Sequence, residues 1–319
     1  MERHREQIER VIENIERVVV GKRKEIELCL VALFARGHVL LEDVPGVGKT
    51  MLVKALARSL GAEFKRIQFT PDLLPSDVTG VSIYNQKLQQ FEFRPGPIVA
   101  NVVLADEINR TSPKTQAALL EALEEGSVTV DGETLVLKQP FFVMATQNPV
   151  EYAGTYPLPE AQLDRFLMKL QLGYPSKQEE LEVLNRLEVT HPLDSLQPVM
   201  STSDVIAIQK RVTDVFVSEE IKMYMINVVH ETRNHRMIEL GVSPRGTIAL
   251  MKAVQAYAYM RGRDYVIPDD VKDVAVYVLG HRLIFSAESK LMSYTSERLL
   301  EEIFERVDVP IKQRKLARS

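Results

Sequence analysis

The chain has 319 residues, of which 45% are hydrophobic, enough to bury a substantial core; this length is typical of two globular domains. Acidic and basic residues nearly balance at a net charge of −4, so no overall basic field exists to hold nucleic-acid phosphates. A single cysteine, Cys29 in an apolar helical stretch, excludes a disulfide framework. No signal peptide and no run of roughly 18 apolar residues is present, so we expect a cytoplasmic protein without membrane insertion.

The first predicted elements are two helices, a strand and a third helix. Apolar residues recur at helical spacing over 8–19 and over 22–34, and Gly21 separates the two segments. The apolar segment 38–42 is predicted to be a strand. After a glycine-rich turn, a helix is predicted over 50–60.

Four further apolar segments are predicted to be strands, with helix-length segments between them. Strands buried on both faces have continuous apolar sequences, and this description fits most of the four. The alternation predicts an α/β fold with a mostly parallel sheet that helices cover on both faces. The four segments are 64–69, 102–105, 141–145 and 166–172.

Two hairpins are predicted to interrupt this alternation. The first joins 80–84 to 91–93 through a polar turn. The second joins 127–130 to 133–137 through Asp131-Gly132, a pair that suits a type I′ turn.

The strand pattern ends near residue 175, and the remaining sequence predicts helices. This change divides the chain into a core domain, residues 1–175, and a helical domain, residues 176–319. The predicted helices are 178–189, 203–212, 219–233, 244–261, 270–279 and 297–305.

The turn over residues 43–50 lies between a predicted strand and a predicted helix, the context of a P-loop. Its backbone N–H groups and the helix N-terminus favour phosphate, the lysine reaches the β- and γ-phosphates of ATP, and the Thr50 hydroxyl binds Mg²⁺. Asp43 replaces the first glycine of the usual pattern. The alternative is a glycine-rich turn that ends in a chance Lys-Thr pair. The residues predicted to bind ATP here are Pro45, Gly46, Val47, Gly48, Lys49, Thr50 and Met51.

Polar residues also follow two of the later strands. Asp106 is predicted to hold Mg²⁺ through water, and Glu107 to polarise the water that attacks the γ-phosphate. A lone Asp-Glu pair at a strand end is usually a solvated turn, but after a P-loop it indicates a catalytic pair. Asn148 is predicted to orient water or the γ-phosphate; the alternative is that Asn-Pro only starts a turn.

Together these motifs resemble those of AAA+ ATPases, and the run LPEAQLDRF over 158–166 narrows the resemblance to the MoxR family. The runs DEINR over 106–110 and ATQNP over 145–149 are also similar to that family. The resemblance implies an αβα P-loop core followed by an all-helical lid, with ATP at their junction. It also implies a helix-2 insert at 80–93 and a pre-sensor-1 hairpin at 128–137.

The resemblance implies roles for two arginines. Arg165 matches the arginine finger, which reaches the ATP of a neighbouring subunit, so that hydrolysis would require assembly. The alternative is a surface ion pair with Asp164 or Glu160. Arg245, at the start of a lid helix, matches sensor 2, which lets the lid detect the γ-phosphate.

The resemblance also implies an adenine pocket and partners. Val20 and Gly21 match the segment that lines adenine. The resemblance further implies a ring, which we expect to be a hexamer. We expect this ring to remodel or activate client proteins together with a von Willebrand factor A domain protein.

Two other functions remain open. A nucleic-acid motor is one, because helicases share the pre-sensor-1 hairpin; however, 128–137 carries Asp131 and Glu133 and no basic residue, so nucleic acid is not an expected partner. A nucleotide-controlled scaffold that scarcely hydrolyses ATP is the other.

Overall fold

The structure is a computed structural model that describes residues 2–149, 155–189 and 192–310. It divides into two compact units, Met1–Arg211 and Val212–Ser319. The first unit therefore includes helices that follow the sheet, whereas the boundary predicted near residue 175 marks where the strand pattern ends.

The first unit contains α-helices around a parallel sheet, with two additional hairpins. Its helices are α1 (Glu2–Glu16), α2 (Arg23–Phe34), α3 (Lys49–Ser59), α4 (Pro75–Thr79), α5 (Pro113–Glu125), α6 (Glu160–Leu163), α7 (Lys177–Val189), α8 (Pro192–Ser195) and α9 (Thr202–Val212). Its strands are β1 (Val39–Glu42), β2 (Phe64–Gln68), β3 (Gly80–Asn85), β4 (Gln90–Pro95), β5 (Val102–Asp106), β6 (Ser127–Val130), β7 (Glu133–Val136), β8 (Phe142–Gln147) and β9 (Met168–Leu170).

Within the described residues, the parallel sheet has five strands in the order β2-β5-β8-β1-β9. This confirms the predicted fold class. The central strands β5 and β8 are buried along almost their whole length, as their continuous apolar sequences predicted. The edge strand β2 buries only Ile67 and exposes its charged and polar residues Lys65, Arg66 and Gln68.

Both predicted hairpins are present. Strand β3 pairs with β4, and β6 pairs with β7, each antiparallel. Asp131 and Gly132 both have positive φ angles, 52° and 83°, which is the conformation that a type I′ turn demands. The first hairpin exposes large apolar side chains, including Tyr84 and Phe91, whose rings meet edge to face.

The second unit is mainly helical, as predicted. Its helices are α10 (Glu219–Asn234), α11 (Pro244–Met260), α12 (Pro268–Leu279), α13 (Ala287–Leu291) and α14 (Ser296–Arg306). A short antiparallel pair, β10 (Ile238–Leu240) and β11 (Ile284–Phe285), was not predicted from the sequence, because strands of two and three residues are too short to show an alternating pattern.

Across residues 2–149, 155–189 and 192–310, no helix combines the length and apolar character needed to cross a bilayer.

A buried histidine lies at the end of the sheet where β1 begins. The Nδ1 atom of His38 accepts a hydrogen bond from the Val143 N–H (3.1 Å), and Nε2 lies 3.1 Å from the carbonyl oxygen of Leu123. These partners fix a neutral ring that accepts at Nδ1 and donates at Nε2. Burial lowers the pKa of His38 to about 4.

We expect His38 to make the protein less stable as the pH falls from about 6.5 to about 4. In this range the unfolded chain, in which the histidine has its ordinary pKa of 6.5, takes up a proton that the folded chain does not. The shift corresponds to a loss of roughly 3 kcal/mol across the window. Urea unfolding at several pH values measures the free energy of unfolding of the wild type and of His38→Gln. The difference between the two proteins should decrease by roughly 3 kcal/mol as the pH falls from 6.5 to 4. A difference that is independent of pH would contradict a buried, neutral His38.

Candidate nucleotide-binding and catalytic site

The turn between β1 and α3 has the backbone conformation of a phosphate-binding loop. Gly46 and Gly48 have φ angles of 87° and 93°, in the left-handed region that side chains disfavour. A Cβ atom at either position would have nothing within 4 Å, so the backbone conformation, and not lack of space, requires glycine. Helix α3 begins at Lys49, directly after Gly48, so its first N–H groups lie at the loop.

The ammonium group of Lys49 lies within this loop. Its Nζ atom donates to the carbonyl oxygens of Asp43 (2.8 Å) and Val44 (3.2 Å). An ammonium has three N–H donors, so these bonds leave one for a phosphate oxygen. Burial lowers the pKa of Lys49, while the charges of Asp43, Asp106 and Glu107 act in the opposite direction. The lysine and the acidic pair therefore share one electrostatic environment.

The structure explains the aspartate at the first position of the loop. The buried carboxylate of Asp43 accepts hydrogen bonds from the backbone N–H groups of Leu172 and Gly173, the latter at 3.1 Å. These residues follow β9, on the other side of β1. Asp43 therefore fastens the start of the loop to the chain that leaves the last strand, a role that glycine cannot fill.

Asp106, the last residue of β5, has partners on both neighbouring strands. Its Oδ1 atom accepts a hydrogen bond from Thr146 Oγ1 (2.6 Å), and its Oδ2 atom accepts from Arg66 Nε (3.1 Å). Thr146 belongs to β8 and Arg66 to β2. The carboxylate is largely buried, with 13% of the side chain exposed, and is held in one orientation.

Glu107 follows in an unusual backbone conformation, with φ 59° and ψ 47°. This left-handed region is uncommon for residues with a Cβ atom and is found repeatedly at functional sites. Its Oε2 atom accepts a hydrogen bond from Gln68 Nε2 (2.7 Å) and lies 3.2 Å from Arg110 Nη1. One quarter of the side chain is exposed, so water can reach the carboxylate.

Asn148 lies one residue beyond β8 and is buried. Its backbone carbonyl oxygen accepts a hydrogen bond of 3.4 Å from Asn109 Nδ2. Strand β8 lies between β5 and β1 in the sheet, and all three are parallel. The P-loop, the Asp106–Glu107 pair and Asn148 consequently extend from the same edge of the sheet, the usual ligand position in such folds.

Arg165 forms an ion pair with Glu124 of α5, with Nη2 3.3 Å from Oε2. The same side chains line a surface pocket of about 590 Å³, to which Glu121 and Glu125 also contribute. The sequence did not predict Glu124 as a partner of Arg165. The role of Arg165 as an arginine finger stays a prediction.

The remaining predicted residues lie in two separate places. Val20 and Gly21 occupy the turn between α1 and α2, where Gly21 has a φ of 72°. The Glu179 carboxylate lies where a Cβ atom at Gly21 would be, but it is the end of a flexible side chain, so the positive φ angle is what favours glycine here. Arg245 is the second residue of α11 in the second unit, and Ser243 caps that helix by accepting from the Gly246 N–H (3.3 Å).

The donor set suits magnesium held partly by a phosphate. Among the residues that the structure describes, no group of three or more His, Cys, Asp or Glu side chains surrounds a metal position. Mg²⁺ in phosphate sites needs only one or two protein oxygens, because waters and substrate oxygens complete its shell. Thr50, at the start of α3, and Asp106, at the end of β5, supply a hydroxyl and a carboxylate at the same sheet edge.

Comparison with known proteins agrees with this geometry. Residues 38–168 match the ATPase family associated with various cellular activities (AAA), and residues 230–303 match the AAA lid domain. The chain is 43% identical to Chaperone MoxR1 of Mycobacterium tuberculosis over 312 residues, which cover 95% of this chain and 82% of that protein. The chain belongs to the MoxR family of AAA+ ATPases.

Further relatives extend the match over nearly the full length of this MoxR-family chain. It is 62% identical to the Bacillus subtilis protein YeaC over 304 residues, 95% of each chain. A crystal structure of a Cytophaga hutchinsonii protein superposes with a TM-score of 0.90 at 42% identity, covering 97% of this chain and 96% of the other. The predicted family is therefore confirmed, as is its division into a P-loop core and a helical lid.

Four side chains that hold the candidate site residues of this MoxR-family protein in place were not predicted from the sequence. Gln68 and Arg66 contact the acidic pair from the edge strand, and Thr146 does so from β8. Asp43 was recognised only as a departure from the P-loop pattern. A polar residue at the carboxyl end of the predicted strand 64–69 was the available signal for Gln68, because that end faces the site in a parallel sheet.

We expect Asp43→Gly to destabilise the protein, even though it recreates the more common P-loop residue. The substitution leaves the Leu172 and Gly173 N–H groups without their acceptor, at a cost of roughly 1–3 kcal/mol. Urea unfolding of both proteins measures the difference. Equal or greater stability of the variant would show that Asp43 does not fasten the loop.

Proposed function

We propose that this protein hydrolyses ATP to ADP and phosphate at the carboxyl edge of its parallel sheet. The observation that carries the proposal is the position of three groups on adjacent strands. The P-loop follows β1, the acidic pair ends β5, and Asn148 follows β8. One phosphate binder, one general base and one orienting amide are the groups that phosphoryl transfer to water requires.

The site residues have distinct roles in this proposal. The amides of the loop and the Lys49 ammonium bind the β- and γ-phosphates. Glu107, held by Gln68 and Arg110, polarises the attacking water, and Asn148 orients it. Mg²⁺, held by Thr50 and Asp106, supplies positive charge to the phosphate oxygens.

The proposed active unit is a hexameric ring. Arg165 acts on the ATP of the neighbouring subunit, Arg245 contacts the γ-phosphate from the lid, and Val20 and Gly21 line the adenine. The ion pair of Arg165 and Glu124, whose side chains are 30% and 37% exposed, supports the first role, because ion pairs near the surface contribute little to stability and Arg165 can leave Glu124 at small cost.

We further assign a chaperone-like role to this ATPase. It couples hydrolysis to remodelling or activation of client proteins in the cytoplasm, together with a von Willebrand factor A domain partner. Support comes from the relative named Chaperone MoxR1 and from the apolar side chains that β3 and β4 expose. Nucleic acid is not proposed as a partner, since residues 127–137 contain no lysine or arginine.

We expect Glu107→Gln to bind ATP normally but to lower hydrolysis by at least about 100-fold, because the amide cannot act as a base. Calorimetry with Mg²⁺ and ATP measures binding, and phosphate release measures turnover. Lys49→Ala is the comparison variant, expected to lose binding itself. Wild-type turnover in Glu107→Gln would refute the assignment. A wild-type protein that binds ATP without releasing phosphate, at concentrations that form rings, would instead be a nucleotide-controlled scaffold.

We expect Arg165→Ala to lower turnover about 1,000-fold while ATP binding persists, because the arginine acts only on the transferring phosphate. Mixing this variant with Glu107→Gln subunits should restore part of the activity. In mixed rings, an intact Glu107 site meets an intact Arg165 from its neighbour. Arg298→Ala, which removes an exposed arginine from a lid ion pair, is the control. If mixing the two variants restored no activity, Arg165 would not act on the ATP of the neighbouring subunit.

A further inference from the structure

Thr146 contacts both members of the acidic pair. It lies on β8 with 1% of its surface exposed. Its Oγ1 atom donates to Asp106 Oδ1 (2.6 Å) and accepts from the backbone N–H of Glu107 (2.8 Å). A hydroxyl has one proton and two lone pairs, so both bonds form at the same time. One buried side chain therefore controls two adjacent residues of the site.

The strand register explains this contact. Strands β5 and β8 pair in parallel up to Ala105 and Ala145, so Asp106 and Thr146 are the next residues on their strands. At this point the Glu107 N–H bonds to the hydroxyl of Thr146 and not to a carbonyl of β8. The hydroxyl of Thr146 replaces the backbone acceptor of a sheet hydrogen bond at the point where the backbone of Glu107 turns out of the sheet. It thereby gives the Glu107 N–H an acceptor that the neighbouring strand does not supply.

The hydroxyl also stabilises the left-handed conformation of Glu107. That conformation is unfavourable for a residue with a Cβ atom and persists only where neighbouring contacts hold it. Gln68 and Arg110 hold the carboxylate end of Glu107, while Thr146 holds its backbone. Without the hydroxyl, the backbone can relax, and the carboxylate then moves away from its present position.

The same hydroxyl orients the second acid. By occupying Oδ1 of Asp106, it directs Oδ2 towards the side of β2, where Oδ2 accepts from the exposed guanidinium of Arg66. A carboxylate that is fixed at one oxygen presents the other in a defined direction. Partners of this kind, which orient a ligand without touching the metal, typically change metal affinity or activity by about 10- to 100-fold.

We propose that Thr146 is a positioning residue for ATP hydrolysis, whose hydroxyl orients the Asp106 carboxylate and holds Glu107 in its left-handed conformation. This inference rests on the hydrolytic function proposed above. Thr146 acts through the two acids, whereas nucleotide binding depends on the loop and on Lys49. The hydroxyl therefore affects turnover and the magnesium requirement more strongly than the affinity for ATP.

The test compares Thr146→Val, which replaces the hydroxyl by a methyl group of similar size, with Thr146→Ser, which keeps it. We expect Thr146→Val to lower kcat by about 10- to 100-fold and to raise the Mg²⁺ concentration for half-maximal activity several-fold. The KM for ATP should change by less than about threefold. Thr146→Ser should restore kcat to within about threefold of the wild type. If Thr146→Val does not fold, Thr146→Ala replaces it as the variant without a hydroxyl in the comparison with Thr146→Ser.

Thr115→Val is the matched control. Thr115 is fully buried on α5 in the same unit, and its hydroxyl donates to the carbonyl oxygen of Leu73 (2.8 Å). This variant also loses a buried hydroxyl bond, so it should lose thermal stability but keep the wild-type kcat and magnesium dependence. A general loss of stability is thereby separated from a loss of positioning.

The outcomes distinguish this inference from the proposed function. Wild-type kcat and magnesium dependence in Thr146→Val or Thr146→Ala would overturn the positioning role. A serine variant as inactive as the valine variant would also overturn it, because the hydroxyl would then not be the cause. Absence of phosphate release by the wild type would instead refute the proposed hydrolysis itself.

Discussion

Parallel pairing of β8 with both β1 and β5 determines where the polar residues of the site lie. In parallel strands the carboxyl ends meet at one edge, so three chain segments distant in sequence extend from the same place. The apolar strands themselves contribute no chemistry. The register between β5 and β8 matters for the site, because a slip by one residue would place Ala145 or Gln147 beside Asp106 in place of Thr146.

The two ends of this sheet use polar groups in opposite ways. At the amino end of β1, the neutral ring of His38 satisfies a backbone N–H and a carbonyl group and carries no charge. At the carboxyl end, charged groups of both signs are gathered around Asp106 and Glu107. Each carboxylate there has a cationic and a neutral partner, so charge is concentrated without being left unpaired in the interior.

The sequence predicted those parts of the site that depend on local order along the chain. Strand, turn and helix follow each other directly around Lys49, so the P-loop was recognisable, and the polar ends of β5 and β8 were recognisable for the same reason. The contacts of Asp43, Gln68 and Thr146 join segments 39 to 130 residues apart, and no spacing rule encodes them. The pairing of β10 with β11 escaped prediction because so few residues take part.

The two hydrogen bonds of Asp43 join the loop mechanically to the chain that leaves β9. The Asp43 carboxylate accepts hydrogen bonds from two successive backbone N–H groups. Neither N–H group can move unless the aspartate moves with it or a charge-assisted hydrogen bond breaks. A displacement of the loop would therefore be transmitted to residues 172–173, on the far side of β1. From there the peptide runs directly towards α7, whose Glu179 touches Gly21. The loop after β1 and the turn between α1 and α2 are thus connected through Asp43, the chain that follows β9, and Glu179.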